Sequence, residues 1–220
     1  MPSKARVAFE DNRKDVERLM EIHGDLAGDT PGRKHGVEVL NKSAIVLMCA
    51  VWEAYCEDLA AEAVEHLATH AKDASALPKA LRKTIANELK SDRNELAVWS
   101  LSGTGWRKVL QSRLVEITER RNRSLNTPKS ENIDSLFEEA VGVHQVSSSW
   151  HWHNVGASTA RKKLDDYVTQ RGDVAHRSKA ASSIKKSHAT GFIKHAERLV
   201  AATDEYVNAE LTAVCGVGLF

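Results

Sequence analysis

At 220 residues, with 42% hydrophobic and 28% charged side chains, the chain carries enough apolar material for a sizeable core and too much for a disordered polyelectrolyte. Its 31 lysines and arginines stand against 30 aspartates and glutamates, a formal net charge of +1, so no global basic field advertises a polyanionic partner and any nucleic acid must be held by local charge. Cys49, Cys56 and Cys215 are odd in number and lack a CxxC spacing, which reads as idle thiols in a reducing compartment; the charged start MPSKARVAFEDNRKD and the absence of an apolar run of about 18 residues imply a cytoplasmic protein with no membrane partner.

The first helix is expected from about Ser3 to Ala27, because Val16, Leu19, Met20, His23 and Leu26 recur at three- and four-residue steps. After the turn-rich stretch GDTPGRKHG comes a long apolar helix over about 37–71, whose Leu40, Ala44, Leu47, Val51, Ala54, Tyr55 and Leu59 keep the helical period and mark it as central. Pro78 suits the first turn of a third helix ending near Asp92, and Gly103 to Gly105 punctuate before a fourth from about Trp106 to Arg123. Ser130 is a suitable N-cap for a short helix burying Ile133, Leu136, Phe137 and Ala140. Ser158 can cap the next, with Leu164, Tyr167, Val168, Val174 and Ala175 toward the core. A last helix lines up Ile193, Ala196, Val200, Thr203, Val207, Leu211 and Val214. No period-two pattern of useful length and no repeat interrupts this series, so the expectation is an all-α bundle of about seven helices: one domain over 1–220, with a core of about 37–212 and an N-terminal helix of about 3–28.

The penultimate helix concentrates the chemistry. Arg171 falls seven residues after Leu164 and four after Tyr167, which sets a permanent charge on an otherwise apolar seam. One explanation is an internal ion pair with Asp165, Asp166 or an acid of another helix; the other is a ligand. His176 follows, and Asp173 lies between them, three residues before the histidine and able to orient it. Together they spell RGDVAH, an R-x4-H pattern late in a helical chain. With VLMCAVWEAYCEDL on the long helix, LNTPKSENIDSLF, SSSWHW and LDDYVTQRGDVAHR in that order, the chain resembles the RiboL-PSP-HEPN family of the HEPN superfamily.

The resemblance implies a HEPN-type helical bundle and a homodimeric, metal-independent RNA endonuclease of defence or toxin type, in which Arg171 and His176 of two protomers meet at a scissile phosphate. Cleavage would leave 2′,3′-cyclic phosphate and 5′-hydroxyl ends. No cofactor is implied, and the partners implied are RNA, a second copy and an antitoxin or other defence-system protein. Helix geometry agrees with the dimer: positions five apart diverge by roughly 140° around the axis and about 7.5 Å along it, so one helix alone aims the pair badly, whereas a two-fold pairing brings arginine to histidine. Many active HEPN sequences place Asn, Asp or His directly after the arginine, and here that position is Gly172. The alternative is a non-catalytic HEPN module that binds nucleotide, RNA or a protein partner.

Other residues have a structural reading beside the functional one. Glu53 on the long helix either positions Arg171 or sits in a buried scaffold pair. His151 and His153 flank Trp152 in a loop, offering two ligands and no third, so no metal site is expected. Trp150 and Trp152 either stack on bases or pack their loop, the latter being the more frequent use of loop tryptophans. Arg120, Arg121 and Arg123, then Arg177, Lys185 and Lys186 with His188, form basic groups that gather RNA phosphates or simply solvate helix ends.

Overall fold

A computed structural model of the chain describes residues 2–27, 36–123, 127–177 and 183–220; the side chains of 116–118, 120–123, 176 and 177 lie outside the description. Among the described residues the chain is all-α, with helices α1 (Lys4–Ala27), α2 (Glu38–His70), α3 (Lys79–Lys90), α4 (Gly105–Arg123), α5 (Ser130–Val141), α6 (Ala157–Arg177) and α7 (Lys186–Cys215). Short 3-10 turns at Ala74–Ala76, Ala97–Leu101 and Val146–Ser149 complete it, and the one extended feature among these residues is an isolated bridge between Trp152 and Val155. None of these helices is long and apolar enough to cross a membrane.

The long helix is the axis of the fold. α2 is apolar nearly all round, and that is what a helix needs when α1, α4, α5, α6 and α7 all pack against it. Ile45, Met48, Trp52, Cys56, Leu59 and Leu67 are fully buried along it. The amphipathic helices turn single stripes inward: Phe9, Val16 and Met20 from α1, Leu81 and Ile85 from α3, and Ala196, Leu199, Val200, Val207 and Leu211 from α7. Leu26 and Ala175 lie outside this core, contrary to the periodicity, because each falls in the last turn of its helix as it runs past the packed centre.

Polar side chains fasten the bundle at three places. Buried Asp204 of α7 accepts hydrogen bonds from the amide and hydroxyl of Ser3, and the Tyr55 hydroxyl donates to the Val200 carbonyl at 3.1 Å, so the start of α1 is locked to α2 and α7. Arg13 of α1 pairs with Glu197 of α7. Arg113 of α4, almost fully buried, pairs with Glu88 of α3 and donates to the Glu139 carbonyl of α5 at 3.0 Å.

Two helix starts differ from expectation. α5 begins with Ser130 inside the helix and Lys129 in the cap position; the cap is supplied from elsewhere, since the Asp165 carboxylate of α6 accepts from the Ser130 amide at 2.8 Å and its hydroxyl at 3.0 Å. α6 starts at Ala157, before Ser158, with the Gly156 carbonyl accepting from the Ala160 amide. The end of α5 needs a glycine: Gly142 has φ +74°, and a Cβ there would lie 2.8 Å from that of Pro78 and 3.0 Å from that of Leu81.

Candidate functional site

The described parts of the four sequence segments that read as landmarks meet around Trp52, near the middle of α2. Trp52 of α2 donates its indole N–H to the Pro128 carbonyl at 3.1 Å and meets the Trp150 ring edge-on at 5.8 Å between centroids. Trp150 in turn donates to the Thr203 hydroxyl of α7 at 2.8 Å. Asp134 of α5 accepts from the amide and hydroxyl of Ser147, at 2.7 and 2.6 Å, and so holds the turn that presents Trp150. With Asp165 on Ser130, these bonds seat α6 against α2, α5 and α7. They are the scaffold of the site, and sequence reading assigned none of them.

On α6 the inward stripe runs through Ala160, Leu164 and Val168, all fully buried, and reaches Arg171 where the packing thins and the residue is half-buried. Asp165 is committed to Ser130 and Asp166 to Lys162, and among the described residues Arg171 has no ion-pair or hydrogen-bond partner. The internal pairing with Asp165 or Asp166 considered from sequence is therefore not what the fold adopts. Burial pushes the Cys49 thiol up to about 12; the Arg171 guanidinium opposes that shift and the Glu53 carboxylate adds to it. Arg171 and Glu53 thus act on the same buried thiol from α6 and α2, and Glu53 also lines a crevice with Cys56, Glu57, Thr127 and Pro128.

Gly172 and Asp173 are half-buried within α6, and a Cβ added at Gly172 would meet nothing within 4 Å. The backbone at His176 and Arg177 continues the helix, while both side chains lie outside the described residues, as do those of Arg120, Arg121 and Arg123 at the end of α4. Lys185 and Lys186 are exposed where α7 begins, with the Lys186 ammonium beside Gly24 of α1; burial lowers the pKa of His23, and the Lys186 charge adds to that shift.

The loop tryptophans divide. Trp150 is fully buried, so it packs its loop and offers no face to a base; the indole N–H already has its acceptor and the ring its aromatic neighbour. Trp152 is half-buried and meets the His195 ring edge-on. His195 donates from Nε2 to the Ala160 carbonyl at 3.0 Å, and burial lowers its pKa to about 4, which keeps it neutral as part of the packing under α6. His151 and His153 are exposed, and among the described residues no three His, Cys, Asp or Glu side chains converge as metal ligands.

In comparison with known proteins, the model of one family, RiboL-PSP-HEPN, matches residues 11–209, a span that reaches into every helix and takes in all four landmarks. Neither the curated proteins nor the solved structures gave a match.

Proposed function

Because the chain belongs to the RiboL-PSP-HEPN family of the HEPN superfamily, whose domains often have RNase or nucleotide-binding roles, we propose that it is a metal-independent RNA endonuclease that works as a homodimer, with Arg171 and His176 as its catalytic residues. The observation that carries this reading is the guanidinium of Arg171, which has no ion-pair or hydrogen-bond partner among the described residues, at the exposed end of an apolar helix stripe. A half-buried cation without an internal carboxylate is costly to keep unless a ligand supplies the negative charge. Arginine's planar donors match the non-bridging oxygens of a phosphodiester. Histidine is the side chain that exchanges protons near neutral pH.

The chemistry follows. The ribose 2′-oxygen bonds to the adjacent phosphorus as its proton passes to a histidine; the bond from phosphorus to the 5′-oxygen breaks, and that oxygen takes the proton from the histidinium as it leaves. Arg171 stabilises the charge that accumulates on the phosphoryl oxygens between these events. The products are a 2′,3′-cyclic phosphate and a 5′-hydroxyl, and DNA, which lacks the 2′-hydroxyl, is not cut. Asp173 and Glu53 act in support, the first on His176 and the second on the setting of Arg171. Lys185, Lys186 and the arginines ending α4 and α6 are taken to gather flanking phosphates.

The second copy would dock against α2 and α6. Val39, Ser43, Val46, Leu47 and Ala50 of α2 and Val174 of α6 line a groove of about 580 Å³, with Val39 60% exposed, and Val174 lies one helical turn beyond Arg171. Two-fold packing along this apolar strip would bring two α6 ends together. Such a dimer also meets the geometric need of an arginine and a histidine that a single helix turns apart. An antitoxin or other defence-system protein that restrains the nuclease would be a further partner.

The test is incubation of wild-type protein, Arg171→Ala and His176→Ala with mixed cellular RNA in EDTA, followed by analysis of fragment ends. Cleavage by the wild type alone, leaving cyclic phosphate, is expected. RNA or nucleotide binding without cleavage by any of the three would replace the nuclease with a binding module.

A further inference from the structure

The tryptophan that stands free in water is none of those in the 150–152 loop. Trp99, in the 3-10 turn Ala97–Leu101, is 74% exposed, beside Leu96 at 67% and Val98 at 43%. The turn is not loose: it packs against both α3 and α4, so the indole is held out from a fixed support. An exposed apolar patch of this kind marks a surface that something else covers.

The charge around it narrows the occupant. Between residues 79 and 108 seven lysines and arginines stand against three carboxylates, in a chain whose formal net charge is only +1. One of those carboxylates, Glu88, is neutralised by Arg113. Lys79, Arg82, Lys83, Lys90, Arg93 and Lys108 are exposed, and among the described residues none of them is in an ion pair. An apolar protein surface would match Leu96, Val98 and Trp99 but would leave or desolvate these cations. Single-stranded RNA satisfies both features, since its bases present flat π-faces to an indole and its phosphates meet the ammonium and guanidinium groups.

We propose that α3 and the 96–101 turn form a second RNA-binding surface, a docking platform on which Trp99 stacks against a base while exposed cations of the 79–108 segment hold the flanking phosphates. The proposal rests on the RNA reading of Arg171 and His176 and extends it. α4, 19 residues long and so about 28 Å, starts beside this platform and ends in the chain that leads to Thr127 and Pro128, next to Glu53. One strand would therefore lie along the α4 side of the molecule, gripped by the platform at one end and cut at the other.

The probe is a fluorescein-labelled 2′-O-methyl oligonucleotide, which the chemistry above cannot cleave, bound by wild-type protein, by Trp99→Ala, and by a variant combining Lys83→Glu with Lys90→Glu, over a salt series. Trp99→Ala is expected to bind about ten-fold more weakly and to lose the quenching of tryptophan fluorescence that the oligonucleotide causes. The charge reversal is expected to flatten the salt dependence by about one unit of slope for each phosphate no longer held. Wild-type affinity and slope in both variants, with binding still weakened by Arg171→Ala, would overturn the platform, leave the RNA reading standing and assign the patch to a protein partner. Failure of the wild type to bind the oligonucleotide at all would overturn both.

Discussion

Two stretches of α6 treat their charges in opposite ways. Asp165 is committed to the amide and hydroxyl of Ser130, and that pair of bonds ties α6 to the start of α5. Arg171, further along the same helix and on its inward stripe, is half-buried and has no partner among the described residues. The first arrangement is how a fold absorbs a charge, by surrounding it with donors. The second leaves a charge without a partner among the described residues, at the place where the proposed site lies.

The comparison breaks if scaffold and site respond alike to mutation. The largest effect expected is on the scaffold: Trp150→Ala removes a fully buried ring and the hydrogen bond to Thr203, and should cost about 3–5 kcal/mol in a denaturant titration. Arg171→Ala should do the reverse, lowering cleavage on the order of 10²- to 10³-fold, the loss typical of a group that stabilises transition-state charge, with the thermal midpoint left close to wild type. A large stability loss in Arg171→Ala would return that residue to the scaffold.

Acid sharpens the same distinction. The pKa of His195 is about 4 in the folded protein against an ordinary 6.5, lowered chiefly by burial, and those of His23 and His66 move in the same direction. The unfolded chain therefore binds protons first as the pH falls, and stability is lost between about pH 6.5 and pH 4. For His195 the loss is about 2 kcal/mol from pH 7 to pH 5, and His195→Gln should flatten that part of a stability-versus-pH curve. The smallest effect lies at Gly172, where a Cβ has room: Gly172→Ala should stabilise the protein by about 0.5–1 kcal/mol through helix propensity. A destabilised Gly172→Ala would mean that the glycine is needed for its conformation.

Helix existence was legible because it depends on local period: the stripes of α2 and α7 could be read from residues three and four apart, and they are buried much as that spacing requires. Arg171 was legible for the same reason, as a charge interrupting an apolar seam. What could not be read were bonds between distant segments. Asp165 to Ser130 and Asp204 to Ser3 join residues far apart in the chain, and nothing local distinguishes those aspartates from solvated ones. Ser130 was accordingly expected to be a cap, although a carboxylate from another helix performs that service. Tryptophans were harder still: Trp150 sits in the polar stretch SSSWHW yet is sealed behind Trp52, whereas Trp99 sits in the apolar stretch LAVWSL yet projects into water.

The central claim, that one protomer's arginine acts with its partner's histidine, is tested most directly by mixing two inactive proteins, Arg171→Ala and His176→Ala, allowing subunit exchange and assaying RNA cleavage in EDTA. If the site is shared across a two-fold axis, half of the exchanged dimers are mixed and each regains one intact pair, so activity should return to on the order of a quarter of wild type. If each protomer cuts with its own arginine and histidine, the mixture stays as inactive as its components, and the composite site is contradicted.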